Sequence, residues 1–174
     1  MMAGRRDIAF IDPARSAAAP LAEMLALNER HKTQTSPLDA ARLAALLDAS
    51  SLARATPDGA AFLIAFDEGS DYDSPNFLWF RNRLERFLYV DRIVVAESLR
   101  GRGIARALYG EAFAAAALAG RDRVVCEVNL VPPNRGSDAF HAALGFAEVG
   151  RGAPAPGKVV RYLAREVAKR ETTS

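Results

Sequence analysis

Cysteine is nearly missing from this chain of 174 residues, where Cys126 is the only one. An intramolecular disulfide is thereby excluded, and so is a zinc site built on several thiolates. Lysine is almost as scarce, confined to positions 32, 158 and 169, so arginine carries nearly all the positive charge. Neither sign of charge predominates, since 23 Lys plus Arg stand against 21 Asp plus Glu, a net charge of +2. The basic footprint that nucleic acid requires is therefore lacking. Long apolar runs are absent as well, and the longest, Ala112 to Ala119, falls far short of a membrane span. The apolar stretch after Arg5 and Arg6 is broken by Asp12 before it reaches the length of a secretory signal. No repeat and no low-complexity linker divides the chain. What remains is half apolar and of single-domain size. The expectation is one cytoplasmic domain over residues 1–174, with no nucleic-acid, membrane or metal partner, which leaves room for a homodimer.

Periodicity and turn residues then place the elements. Asp7 to Ile11 reads as a short strand. Ala18 to Asn28 reads as a helix with Leu21, Met24, Leu25 and Leu27 on its apolar face. Pro37 opens a second helix that buries Leu38, Leu43, Leu46 and Leu47. Leu52–Thr56 and Ala60–Phe66 flank Pro57-Asp58-Gly59 and read as a hairpin. A polar and aromatic loop follows from Asp67 to about Arg83. Leu88–Val95 is a strand of branched residues. Ile104–Ala119 is a helix stopped by Gly120, and Val124–Leu130 is a further strand. Ser137 caps a short helix that ends at Gly145. Phe146–Val149 and Val159–Leu163 are closing strands joined by a loop with Pro154, Pro156 and Gly157. Alternation of strand and helix through this half argues for a mixed α/β sheet.

The sharpest local signal is Arg100-Gly101-Arg102-Gly103-Ile104-Ala105, between a branched strand and a helix. Such a turn leaves backbone N–H groups pointing into one concavity, and the helix behind it adds partial positive charge. It is not a Walker loop, because no Gly-Lys-Ser/Thr follows, and its glycine spacing fails the Rossmann pattern. It does resemble the GNAT superfamily pattern Arg/Gln-x-x-Gly-x-Gly/Ala, met here by Arg100, Gly103 and Ala105. Tyr89–Val95 is similar to that family's fourth strand. Asn134-x-x-Ser137-x-x-Phe140-His141-x-x-x-Gly145-Phe146 is similar to its Asn-x-x-Ala-x-x-Leu-Tyr-x-x-x-Gly-Phe segment. The match covers residues 88–150, while the first 66 residues agree only in the order of their elements.

The resemblance implies a mixed, largely antiparallel, splayed sheet of about six or seven strands flanked by about four helices. It implies acetyl-CoA as acyl donor, an amine as acceptor and no metal. Backbone groups at Val94 and Val95 would then pair with the pantetheine amides. The diphosphate would lie on the turn of Arg100, Gly101, Arg102, Gly103, Ile104 and Ala105, with Asn134 and Ser137 beside the arm.

Acetyl transfer to an amine needs a base, because an alkylamine titrates near ~10.4 and is protonated at neutral pH. Glu127 is the first candidate. Period-two alternation in Val124–Asn129 puts Glu127 and Asn129 on one face of a core strand, with Cys126 and Val128 on the other. A carboxylate there must be paired or used. The competing reading has it neutralised by Arg92 or Arg123. Asp91 is the rival base, and its bland alternative is an ion pair with Arg92. His141 stands where the family carries the Tyr that protonates the departing thiolate. It could act as that acid, hydrogen-bond the sulfur or simply pack, and Tyr89 could supply the proton instead.

Asp67, Glu68, Asp71 and Asp73 lie close to Tyr72, Phe77, Trp79 and Phe80. They form either an acidic, aromatic mouth for a cationic amine or a solvated loop over the core. His31 could form the opposite wall. Arg81, Arg83 and Arg86 could approach the cofactor's 3′-phosphate or face water. Three functions stay open: acetylation of a small cationic amine, acetylation of a protein or peptide N-terminus, and acyl-CoA binding without catalysis.

Overall fold

The computed structural model describes residues 8–168. Asp7 of the expected first strand lies outside them, and of the remainder only Ile11 is paired, in a single bridge to Ala55. Among the described residues, α1 (Leu21–Arg30) and α2 (Ala40–Ala49) precede the hairpin of β1 (Leu52–Ala55) and β2 (Ala61–Asp67). Then come α3 (Pro75–Arg81), β3 (Phe87–Val95), α4 (Ile104–Leu118), β4 (Arg123–Val131), α5 (Arg135–Ala143), β5 (Ala147–Ala155) and β6 (Lys158–Glu166). The six strands form one sheet in the order β1-β2-β3-β4-β6-β5. Only β3 and β4 run parallel, joined through α4; every other neighbouring pair is antiparallel.

Both faces of the sheet are covered. On one, α1, α2 and α3 bury Met24, Leu27, Leu43, Leu46, Phe77 and Phe80 against Phe62, Phe66, Phe87, Tyr89 and Tyr162. On the other, Ile104, Leu108, Tyr109 and Ala112 of α4 pack on Leu63, Leu88, Val90, Val124 and Cys126. No helix among the described residues is long and apolar enough to cross a membrane.

The first helix runs over Leu21–Arg30 rather than Ala18–Asn28, and four further departures from the sequence reading each have a local reason. The second helix starts at Ala40 rather than at Pro37, because Asp39 accepts a bond from the Arg42 N–H at 2.7 Å and caps it. The stretch from Asp67 to Arg83 is not all loop: Pro75 sits in the first turn of α3, whose Asn76, Phe77 and Phe80 are buried. Ser137 does not cap α5, since Asn134 does so by accepting from the Ser137 N–H. The loop expected around Pro154 is ladder almost throughout, and Ala155 pairs with Lys158 across the two-residue turn Pro156-Gly157. Gly120 ends α4 as expected. It lies in the left-handed region, and the Arg121 N–H closes back on the Ala116 carbonyl at 2.8 Å.

Candidate active site

β3 and β4 share only three paired positions, Phe87↔Arg123, Leu88↔Val124 and Tyr89↔Val125, and then part. Beyond them the edge of β3 that faces β4 is left without a ladder, and a groove opens between the two strands. One end is a cavity of about 380 Å³ lined by His31, Val94, Val95, Arg100, Ala105 and Phe140, among others. The other end, about 470 Å³, reaches Asp91, Glu127, Asn76, Tyr109 and Lys158. Ile93, Asn134, Ser137 and His141 border both.

A β-bulge sets which side chains enter this groove. In the β2–β3 ladder Ile64 pairs with Arg92 and Ala65 with Val90, so Asp91 has no partner position. The extra residue reverses the alternation. Phe87 and Tyr89 share a core layer with Val94, whereas Leu88 and Val90 share theirs with Ile93 and Val95.

Beside the 380 Å³ cavity, Gly101 and Gly103 hold φ values of 75° and 78°, which only glycine adopts without strain. A Cβ at either would meet nothing within 4 Å, so the requirement is backbone conformation and not crowding. Gly103 is the N-cap of α4, a helix of 15 residues, and the Ala107 N–H is the first to bond back, to the Gly103 carbonyl. The amides of Ile104, Ala105 and Arg106 are thus left without helical partners beside the groove. Of the ten residues expected to hold the cofactor, Val94, Val95, Arg100, Ala105, Asn134 and Ser137 line the 380 Å³ cavity. Gly101, Arg102 and Gly103 shape the turn behind it, and Ile104 is buried in the core under α4.

At the 470 Å³ end, the face reached by Glu127 is the one that alternation in β4 specifies, opposite Cys126 and Val128. Glu127 is half-buried as a residue, but its Oε2 is shut off from solvent and accepts no hydrogen bond among the described residues. Its Oε1 accepts from Asn76 Nδ2 at 3.1 Å, and Asn76 Oδ1 in turn accepts from the Tyr162 hydroxyl at 3.0 Å. Desolvation, helped by the nearby negative charge of Asp91, raises the Glu127 pKa to about 8. Tyr89, Lys158 and Asn76 oppose that rise without cancelling it. Tyr89 acts here as a polar neighbour, because its buried hydroxyl does not reach hydrogen-bond geometry.

Both oxygens of Asp91 are engaged. One accepts from the Tyr72 hydroxyl and the other from Arg92 Nε at 2.7 Å, with both members of the ion pair buried. Arg92 also donates to Asn28 Oδ1 at 3.0 Å and to the Ser36 hydroxyl at 3.0 Å, which ties β3 to the loop between α1 and α2.

His141 is buried at 4 % exposure. Its Nδ1 lies 2.7 Å from the Ser137 carbonyl oxygen, which can only accept, so Nδ1 carries the proton. Burial lowers its pKa and keeps the ring neutral. Nε2 is then an acceptor, and it receives the Tyr109 hydroxyl at 2.7 Å. Tyr109 is fully buried, and desolvation pushes its pKa upward, so the phenol stays protonated.

Other predicted residues separate. Of the four acidic residues near Tyr72, only Asp73 borders the groove; Asp67 and Glu68 bind Arg121 instead. His31, expected opposite the acidic mouth, instead lines the 380 Å³ cavity with Arg100. Arg81 lies over Phe77, Arg83 over Trp79, and Arg86 pairs with Asp122, all away from the groove. Sequence reasoning missed Asn76, Tyr109 and Lys158. Pro75 followed by Phe77 and Phe80 one turn apart is a helix signal that could have exposed Asn76. Nothing local marks Tyr109 or Lys158.

With this geometry in view, the family model described as the Acetyltransferase (GNAT) family matches residues 31–146. None of the curated proteins matches the chain in sequence. Among solved structures it is similar to Ard1 from Thermoplasma volcanium, at 12% identity and TM-score 0.70 over 92% of this chain and 98% of that one. It is also similar to a chain of the NatC complex bound to Gag peptide and CoA, at 16% identity and TM-score 0.67 over 88% and 94%. A third is the ribosomal-protein-S18-alanine N-acetyltransferase from Escherichia coli, at 17% identity and TM-score 0.62 over 88% and 92%. At such identities the likeness is one of fold.

Proposed function

The chain belongs to the acetyltransferase (GNAT) family, and from that premise we propose that it moves an acetyl group from acetyl-CoA to a primary amine by direct attack in a ternary complex. The acceptor is a small molecule that is cationic at its amine. The observation that carries the reading is Glu127, a desolvated carboxyl with one oxygen unpartnered, on the floor of the groove.

The residues present suit the donor. The unpaired edge of β3 at Val94 and Val95 offers backbone groups to an amide-bearing arm, as an added strand would. The glycine turn and the free amides of α4 offer a concavity for a diphosphate, with Arg100 beside it. Acetyl-CoA supplies the activated acyl carbon and a thiol leaving group.

Glu127 takes the amine's proton. An ordinary glutamate near ~4.3 lies about 6 units below an alkylamine near ~10.4, so the transfer would cost about 8 kcal/mol. Raised to about 8, the carboxyl closes that gap to about 3 kcal/mol. Asn76 holds Oε1 and is itself held by the Tyr162 hydroxyl, which fixes the carboxyl at the groove. Asp91 is a positioning residue: it is committed to Arg92 and Tyr72, and its charge helps lift Glu127. The C–N bond forms as the C–S bond breaks; the Tyr109 hydroxyl, held by His141 Nε2, turns its proton to the departing thiolate and is reprotonated from solvent, to which Glu127 releases the proton it took from the amine.

Acetylation of a peptide N-terminus is the second reading. The Gag peptide and the S18 alanine named with two of the structural relatives support it. Thiol release from acetyl-CoA with small amines, short peptides and no acceptor separates these readings from acyl-CoA binding without catalysis. Release with neither class of amine, by protein that still binds acetyl-CoA, would leave binding alone.

A further inference from the structure

Six charged side chains line the 470 Å³ end of the groove: Arg42, Asp73, Asp91, Arg92, Glu127 and Lys158. Four neutralise each other, Arg92 with Asp91 at 2.7 Å and Arg42 with Asp73 at 3.6 Å. Arg42 also lies over the Tyr72 ring, 5.9 Å from its centroid. The two that remain, a carboxyl and an ammonium, have no ion-pair partner among the described residues. Glu127 has an unpartnered oxygen, and Lys158 makes no ion pair and no hydrogen bond among the described residues, acting on Glu127 only at longer range. An ammonium that is only half-exposed and faces a cleft, with no counter-ion, is uncommon, because a charge withdrawn from water ordinarily finds a partner. Here it is also one of only three lysines in the chain.

The fold keeps these two groups on one face but apart. In the β4–β6 ladder Glu127 pairs with Tyr162. Lys158 lies four residues earlier on β6, with the same parity as Tyr162 and Val160 and beside the Pro156-Gly157 turn at the groove's mouth. Four residues of strand rise about 13 Å, part of which the lysine side chain can span. Pro154 and Ala155 of β5 line the groove next to it.

We infer that the acceptor is zwitterionic, a small amino acid whose amine goes to Glu127 and whose carboxylate, several bonds away, goes to Lys158. The inference rests on the amine-acetylating reading above and deepens it, because such a molecule is cationic at the reacting end and anionic at the other. The ligand's amine would meet the Glu127 carboxyl and its carboxylate the unpaired Lys158 ammonium, and none of the existing ion pairs would have to break.

The test compares glycine, 4-aminobutanoate and 6-aminohexanoate, each against its own primary amide, by thiol release from acetyl-CoA with the full chain, Lys158→Met and Lys158→Arg. The parent should favour at least one of the longer acids over its amide by about tenfold or more in kcat/KM, the value of one charge-assisted contact. Lys158→Met should bring that ratio to about one, and Lys158→Arg should restore most of it. Taking the ratio of acid to amide within one preparation cancels any loss of folded protein. Acids and amides used equally by the parent would overturn the inference while leaving amine acetylation intact. A preference that survives Lys158→Met would overturn it too. Turnover of neither acids nor amides would remove the small-amine reading, and this inference with it.

Discussion

Replacing Glu127 by Gln substitutes a neutral group of nearly the same shape for a carboxyl whose charged form is desolvated. In the unfolded chain this carboxyl titrates near 4.5, and in the fold at about 8. A pKa raised by folding means that the native state holds its proton more tightly. The associated stability is present in full below the unfolded value, declines as pH rises, and is gone above the folded value. The difference of about 3.5 units corresponds to at most about 5 kcal/mol, since each unit is about 1.36 kcal/mol. Between about pH 5 and about pH 9 the loss amounts to about 4 kcal/mol, most of it incurred by neutral pH. Glutamine cannot ionise, so Glu127→Gln should match the parent near pH 5 and exceed it by several kcal/mol near pH 9. Urea denaturation of both proteins across that range, without ligand, measures the difference directly. Other titrating groups cancel between the two proteins. Parallel stability curves would refute the claim that burial holds this carboxyl protonated. They would also remove its match to an amine acceptor. The same variant should lose the alkaline rise of kcat/KM that the parent shows as Glu127 deprotonates.

His141→Phe and Tyr109→Phe should each lower kcat at least about tenfold with little change in acetyl-CoA affinity by calorimetry. The double variant should be little worse than either, because each acts through the bond between them. Asp91→Asn leaves the Arg92 guanidinium buried without its counter-charge. It should cost about 3–5 kcal/mol in chemical denaturation. It should also move the Glu127-dependent limb of the pH–rate profile to lower pH, since a neighbouring negative charge is gone. Gly150→Ala would bring a Cβ to 2.7 Å from Trp79 Cη2, in a ring stacked on Tyr162 at 4.1 Å and covered by Arg83 at 4.3 Å. The crowded ring has nowhere to turn, so a loss of about 1–3 kcal/mol is expected. A shifted emission from Trp79, the only tryptophan, would report the displaced ring.

Much of the second half of the chain was legible because its signals are local. The glycine turn from Arg100 to Ala105, the stop at Gly120 and the alternation that puts Glu127 opposite Cys126 depend on backbone sterics and side-chain period, which neighbours along the chain determine. α3 was legible in principle but hidden, since the surrounding acidic and aromatic residues read as loop. The β-bulge at Asp91 was not legible at all. It arises from register against β2, and it is what takes Asp91 out of simple alternation with Tyr89.

Sequence alone therefore determined the mixed sheet, the glycine turn and the pair of carboxyls worth testing, all carried by short-range pattern and by resemblance over residues 88–150. Tertiary structure decided how those carboxyls differ. It gave Asp91 two partners, Arg92 on β3 and Tyr72 in the loop before α3, left Glu127 with one oxygen bare and a pKa raised by burial, and brought Tyr109 onto His141 and Lys158 to the mouth. Which charges cancel and which are left over depends on distances across strands and helices remote in the chain, and no local pattern encodes those distances.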